Sequence, residues 1–382
     1  ILCARCTRFV DEVTHTSELG IYERGDHSRI ELAAGKTLDN PYSMNVVDIC
    51  PVGALTSKDF RFKARVWYLE RTESVCAGCA NGCNIEVYHR EGRIFRFQPR
   101  ANAEVNQYWM CDEGRLSCHA LQGEGRLLQP LVRGEGAFVP VEWTNALEAV
   151  AGRLRGIARE GGAGAIALVI SAQASNEEIF LARRLATQLD ATITGVSWSP
   201  PNASHDDFLV KADKNPNTRG LVLQGLPIAV AGLESVLGGI EAGRVKALVL
   251  VRTDLASWAS TARARAALEA VPYLVVLDSD RRESSQYADV VLPIATYAET
   301  AGTFTNHTGR VQRFDEAVKP AGDARPGWRV LSDLLVSDAM KPAADARGVF
   351  AALASEGGAF AGLSYEVLGA EGANATNARA SA

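Results

Sequence analysis

All eight cysteines of this 382-residue chain fall between Cys3 and Cys118, and the long remainder has none. Disulfide scaffolds belong to short chains that bury too little apolar surface to hold together otherwise. This chain, with 47% hydrophobic residues, is long enough for two or three domains with cores of their own. Cysteines crowded into its first third point instead to metal ligation or redox chemistry in a reducing compartment. The longest apolar runs, 165–170 and 247–251, fall far short of the roughly 18 residues that a membrane-spanning helix needs, so no direct membrane insertion is expected. A net charge of −5 with acids and bases interspersed offers no basic face for nucleic acid.

Cys76, Cys79, Cys83 and Cys111 form a C-x2-C-x3-C run with a distant fourth cysteine. One loop can place three thiolates around a metal centre, and the fourth then clamps that loop to another segment. Gly78 and Gly82 suit the tight backbone bends this demands. Structural zinc is satisfied by four thiolates equally well. The first group favours the other choice: Cys3 and Cys6 make a C-x2-C, and Cys50 is followed by Pro51, the C-P ending of ferredoxin runs. Two neighbouring groups with iron–sulfur spacing favour an electron relay over a lone structural metal. Only three ligands are visible in the first group. The chain begins at Ile1 rather than Met, so the expectation is an N-terminally truncated fragment whose fourth ligand precedes Ile1.

Residues 1–68 read as irregular and turn-rich, and 66–98 as β-rich with a hairpin turn at Glu91-Gly92. From about 140 the texture changes. Thr144 is placed to cap a helix with Leu147, Val150, Ala151, Leu154 and Ile157 at helical spacing, ended by Gly161 and Gly162. A strand is expected at 165–170, then a helix opened by the S-x-x-E box of Ser175 and Glu178, with Phe180, Leu181, Leu185 and Leu189 inward. Strands at 247–251, 274–277 and 290–292, with a helix near 261–270, complete a βαβ pattern and imply a doubly wound, mostly parallel sheet. Beyond about Met340 the composition turns to Ala, Gly and Ser; one short helix over 349–354 and disorder from Gly372 are expected.

The segments Ile1-Leu2-Cys3-Ala4-Arg5-Cys6-Thr7-Arg8-Phe9 and Asp48-Ile49-Cys50-Pro51-Val52-Gly53-Ala54-Leu55 resemble a tetranuclear-cluster segment of the G-subunit family of proton-pumping NADH-quinone oxidoreductase, respiratory complex I. In that family a cysteine stands immediately before the Ile-Leu pair. Cys76 to Cys83 with Cys111-Asp112-Glu113-Gly114-Arg115 resembles the additional tetranuclear cluster that some bacterial members carry off the main electron path. Residues 297–306 and 309–314 are similar to the family's molybdopterin-oxidoreductase-like domain. The resemblance spans about residues 1–336. It implies an α/β fold class: small cysteine-rich iron–sulfur domains at 1–68 and 69–130, a doubly wound domain at 131–336 without a metal ligand, and a tail at 337–382. The implied cofactors are 4Fe-4S clusters at Cys3, Cys6 and Cys50 and at Cys76, Cys79, Cys83 and Cys111. A 2Fe-2S cluster is expected only upstream of Ile1, and no molybdenum is expected. The implied role is one-electron relay from NADH toward quinone. The implied partners are the NADH/flavin subunit and quinone-side iron–sulfur subunits of a peripheral arm on the cytoplasmic face of a bacterial inner membrane. His307-Thr308 departs from the family by standing where an acidic residue is expected.

Rival readings stay open at this level: a molybdopterin-dependent enzyme such as a formate dehydrogenase, a diaphorase-type subunit of an NAD-linked hydrogenase, and a zinc-stabilised interaction module. Against the first, no cysteine beyond Cys118 can ligate molybdenum, although serine or aspartate could substitute. Where such enzymes resemble Cys-x-Lys-Gly, this chain has Asp112-Glu113-Gly114 after Cys111, with no lysine to carry an electron toward a pterin. The large domain then serves as scaffold. Arg5, Arg8 and Arg115 are candidates to offset cluster charge, weighed against ordinary surface arginines. Cys118 with His119 reads as a buried or satisfied pair outside both groups. The other histidines have no ligand spacing, and Gly302 and Gly309 read as structural turns rather than a phosphate loop.

Overall fold

The computed structural model describes residues 1–226, 228, 230–257, 261–335 and 343–376. The first cysteine segment holds more regular structure than its turn-forming residues suggest. Helix α1 (Arg5–Glu12) carries Cys6 and buries Phe9 and Val10 on the same face. Its entry residue Ala4 takes a left-handed φ of 58°. Strands β1 (Leu19–Tyr22) and β2 (Arg29–Leu32) pair antiparallel, and helix α2 (Asn45–Ile49) leads directly into Cys50.

Strands β3 (Glu70–Val75), β4 (Asn84–Arg90) and β5 (Arg93–Pro99) form an antiparallel sheet, a third strand beyond the expected hairpin. Glu91 and Gly92 turn between β4 and β5 with φ of 52° and 77°. The short helix α3 (Asp112–Leu116) starts at Cys111, whose sulfur accepts the Gly114 N–H as its cap.

Strands β6 (Leu131–Arg133) and β7 (Phe138–Pro140) open a seven-stranded sheet. Helix α4 spans Trp143–Gly161, so it begins one residue before the expected cap Thr144, and Glu142 sits at the cap position. Strand β8 (Ile166–Ser171) is buried along its whole length. Helix α5 (Asn176–Gln188) has the expected capping box of Ser175 and Glu178. There follow β9 (Thr192–Val196), α6 (Thr218–Leu223), α7 (Val230–Glu241), β10 (Ala247–Val251), α8 (Thr261–Ala270), β11 (Leu274–Asp278) and β12 (Val290–Pro293). The strand order is β7-β6-β12-β11-β10-β8-β9. Strands β8 to β12 pair in parallel, and β6 and β7 pair antiparallel at one edge. Runs such as Ala247–Val251 are apolar throughout because α4, α5 and, farther along the chain, α9 cover one face while α7 and α8 cover the other. Order reverses between β8 and β10, which opens a crevice beyond their carboxyl ends.

The hairpin β13 (Gly302–Thr305) and β14 (Arg310–Phe314) lies outside the strands that the apolar runs suggest. Gly309, φ 86°, lies in its turn, whereas Gly302 lies within β13. Helix α9 (Gly327–Leu334) follows, then α10 (Ala346–Ser355) and α11 (Tyr365–Leu368). The Ala/Gly-rich end is not loose where it is described: Phe350, Leu353, Phe360 and Tyr365 anchor it in the main core. Strand β15 (Ala373–Asn374) pairs with Arg310 and Val311, which corrects the expectation of disorder from Gly372 through Asn374. Residues 377–382 lie outside the described ones.

Candidate metal centres

Cys76, Cys79, Cys83 and Cys111 are all buried and line one cavity together with Gly78, Gly114, Leu209, Val210 and Lys214. Loop 76–83 hangs between β3 and β4, and Cys111 closes it from the start of α3. Among the described residues no three His, Cys, Asp or Glu side chains converge on a point where one ion could sit. Backbone and amide donors already face the cysteine sulfurs. Gly78 N–H donates to Cys76 at 3.4 Å, Gly114 N–H to Cys111 at 3.3 Å, and Asn81 Nδ2 to Cys83 at 3.1 Å. Burial pushes the Cys76 and Cys83 thiols well above their ordinary range, the neighbouring cysteines adding to the rise. Burial likewise pushes Cys111 up to about 11. A dry pocket of four thiols resists ionisation unless a cation shares it, and a bound metal reverses that balance.

Space around these sulfurs is tight. A methyl group on Gly114 would stand 3.1 Å from Cys76 Sγ and 3.3 Å from Cys111 Sγ. Gly82 holds φ 64°, and a Cβ there would meet Gln312 Oε1 at 2.9 Å. Gln312 Nε2 donates to Gly82 O and to Asn84 Oδ1, both at 2.8 Å. From the same hairpin, His307 N–H donates to Ala80 O at 2.8 Å and Asn306 Nδ2 to Asn81 O at 3.2 Å. The β13–β14 hairpin is thus the outer wall of the cysteine loop, a role that local spacing does not disclose. His307, at the departure from the family pattern, serves there through its backbone, and burial lowers its side-chain pKa.

In the first group Cys6 is buried, Cys50 half-buried and Cys3 exposed. The Cys6 thiol is raised by burial, with smaller contributions from nearby Cys3 and Cys50, so the three lie within electrostatic reach of one another. Cys50 shows the opposite behaviour. The Leu55 backbone N–H, with smaller contributions from Val52, Ala54 and Gly53, holds its pKa down against the opposing effect of burial. Such a nest of amides stabilises a thiolate or any anion bound beside it. Both groups share one hydrophobic core, in which Phe9, Val46 and Tyr42 pack with Ile85, Phe97 and Met110.

The candidate arginines divide. Arg8 is exposed and pairs with Glu12. Arg115 is buried, 4% exposed, and its guanidinium donates to Asn45 Oδ1 at 2.8 Å and to Asp48, so it ties α3 to α2. Cys118 is buried, burial holding its pKa up at about 11, and is not among the residues lining the four-thiol cavity. His119 is exposed, bonded to Asp59 at 2.9 Å.

A cleft of about 390 Å³ lies beyond the carboxyl ends of β8, β10 and β11, lined by Ser171, Arg252, Asp254, Asp278, Asp280 and Tyr297 among others. Its cations are already engaged. Arg252 pairs with Glu178 at 2.7 Å and Arg282 with Asp278 at 3.0 Å, while Asp254 and Asp280 add further negative charge. Lys214 also lines the cleft and pairs with Glu113 at 2.9 Å.

A model described as molybdopterin oxidoreductase matches residues 126–219 and 228–336, more than half of the chain. The chain belongs to the molybdopterin oxidoreductase family. Residues 1–56 match the ferredoxin-like domain of NADH-quinone oxidoreductase subunit 3, and residues 69–119 match the 4Fe-4S domain described as NADH-ubiquinone oxidoreductase NDSU1/NuoG-like. The G subunit of NADH-quinone oxidoreductase from Rickettsia felis is 36% identical over 189 residues, covering 50% of this chain and 27% of that protein. The mitochondrial 78 kDa subunit of NADH-ubiquinone oxidoreductase from Neurospora crassa is 44% identical over 151 residues, covering 40% and 20%. The chain thus matches about a quarter of the length of these relatives. Acetylene hydratase from Pelobacter acetylenicus superposes with a TM-score of 0.49 at 12% identity, over 73% of this chain and 71% of that one. The resemblance to the G-subunit family and the α/β fold class are borne out.

Proposed function

We propose that this chain is an iron–sulfur electron-transfer subunit of a proton-pumping NADH:quinone oxidoreductase. Cys76, Cys79, Cys83 and Cys111 hold one 4Fe-4S cluster, and Cys3, Cys6 and Cys50 supply three ligands of another. The observation that carries this reading is the pair of cysteine sites built into one core, the second with N–H donors on the sulfurs of Cys76, Cys83 and Cys111. Clusters bound there supply one-electron storage. The chain's own residues fix the ligands, exclude water and set the potential through donors to sulfur and nearby charge.

The site makes no bond to substrate, and NADH and quinone are handled by neighbouring subunits of the peripheral arm, a flavin-bearing one and quinone-side iron–sulfur ones. Among the described residues no helix is long and apolar enough to cross a membrane, which agrees with attachment through those partners at the cytoplasmic face of a bacterial inner membrane. The α/β domain carries no molybdenum in this proposal, because its cleft is lined by engaged cations and carboxylates; instead it braces loop 76–83 through Asn306, His307 and Gln312.

Electron paramagnetic resonance of the anaerobically purified chain tests the reading. Reduction with dithionite is expected to produce cubane signals. A colourless protein with stoichiometric zinc and no signal contradicts it.

A further inference from the structure

Glu113 stands just after the fourth ligand Cys111, in the stretch where related molybdopterin enzymes resemble Cys-x-Lys-Gly; yet a lysine reaches this place from another part of the chain. Lys214 comes from the α/β domain, 101 residues away from Glu113 in sequence. Its side chain is 12% exposed. It lines both the four-thiol cavity and the cleft beyond β8, β10 and β11, so it stands in the wall between them.

Its placement is built in. Lys214 N–H donates to Ser199 Oγ at 2.8 Å, and Gln173 Nε2 donates to its carbonyl at 3.0 Å. The carbonyl of the preceding residue, Asp213, accepts the Ala80 N–H of the cysteine loop at 2.8 Å. The ammonium donates to Glu113 Oε2 at 2.9 Å and to Ser204 Oγ at 3.0 Å. Glu113 is half exposed, at 56%, so solvent screens the carboxylate more than the ammonium. Glu113 lines the same four-thiol cavity as Lys214, so both charges face the cysteine site.

We infer that Lys214 is a positioning residue that sets the reduction potential of the cluster at Cys76, Cys79, Cys83 and Cys111, with Glu113 as its counter-charge. This rests on the cluster assignment proposed above. An added electron makes the cluster more negative, so a fixed cation in a dry wall favours the reduced state and a carboxylate disfavours it. The two substitutions therefore act with opposite signs, which a merely structural role does not produce.

The test is a redox titration of the purified chain followed by electron paramagnetic resonance, with iron and sulfide counted in each sample. Lys214→Met is expected to move the midpoint of the second cluster to lower potential, Lys214→Arg to restore it, and Glu113→Gln to move it higher, all with iron content unchanged. Midpoints unchanged in both Lys214→Met and Glu113→Gln at full iron content overturn the inference. If Lys214→Met loses its iron, Glu113→Gln decides: a raised midpoint supports the inference and an unchanged one overturns it. Absence of iron and sulfide from the unsubstituted chain is a different result and sinks the cluster reading itself.

Discussion

The buried guanidinium of Arg115, four residues after Cys111, is paired with Asp48, two residues before Cys50. Around that pair, Asn45 Nδ2 donates to Met110 O at 2.9 Å, and Asp112 accepts from Ser43 Oγ at 2.6 Å and Met44 N–H at 3.0 Å. The residues flanking the last ligand of one cysteine site therefore hold the helix that presents the last visible ligand of the other. Asp48 keeps part of its solvation, and removing the arginine strips Asn45 and Asp48 of charged hydrogen bonds worth about 1.5–3 kcal/mol. Arg115→Met is expected to lower unfolding stability by an amount of that order and to weaken iron retention at both sites. Urea unfolding with iron analysis checks this; loss confined to one site contradicts the coupling.

Gly114 faces two sulfurs, and a methyl group there would press on Cys76 Sγ at 3.1 Å and Cys111 Sγ at 3.3 Å. Gly114→Ala is expected to leave the fold intact by circular dichroism and to reduce iron at the four-cysteine site, because the added carbon occupies the approach to Cys76 and Cys111. Gly152, which lies on α4 with open space around it, is the control: Gly152→Ala keeps full iron and gains about 0.5–1 kcal/mol of stability.

How far the sequence discloses this molecule depends on how local each relationship is. The capping box of Ser175 and Glu178 joins residues one helical turn apart, and the thiolate loop is a single short segment, so both are legible. The C-x2-C at Cys3 and Cys6 is equally legible, yet the helix on which Cys6 sits is hidden by the turn-forming residues after it. Arg115 with Asp48, Gln312 with Gly82 and Lys214 with Glu113 join positions 67, 230 and 101 residues apart. No spacing rule reaches that far. The same holds for the end of the chain, where an Ala/Gly-rich composition conceals Phe350, Phe360 and Tyr365, which pack into the core.

Tyr365 also caps a buried carboxylate. Its hydroxyl donates to Glu177 Oε1 at 3.0 Å, and Thr303 N–H donates to Glu177 Oε2 at 2.9 Å. Burial nevertheless pushes the Glu177 pKa up to about 7. A carboxyl raised in the folded state contributes stability that is fully present below its unfolded pKa, near 4.5, and is lost as pH rises through about 7. Glu177→Gln keeps the neutral form at every pH. Its melting temperature is expected to match the unsubstituted chain near pH 4.5 and exceed it at pH 8, by the equivalent of roughly 3 kcal/mol at most. Parallel melting curves across this range would contradict the assignment.

Gly82 stands at φ 64° against Gln312. Gly82→Ala is expected to cost about 1–2 kcal/mol from the left-handed backbone and to loosen the contact between the β13–β14 hairpin and loop 76–83. Faster amide exchange at His307, whose N–H donates to Ala80 O, checks it by hydrogen–deuterium exchange, and unchanged protection there would speak against the hairpin as a brace.

The central claim is that Cys76, Cys79, Cys83 and Cys111 together hold a cubane, and the most direct measurement is iron and acid-labile sulfide per chain in Cys111→Ala beside Cys118→Ala, both prepared anaerobically. The account predicts that Cys111→Ala holds about four iron and four sulfide fewer than the unsubstituted chain, while Cys118→Ala holds the full amount. Equal iron and sulfide in Cys111→Ala and the unsubstituted chain, or stoichiometric zinc without sulfide in the latter, would contradict it.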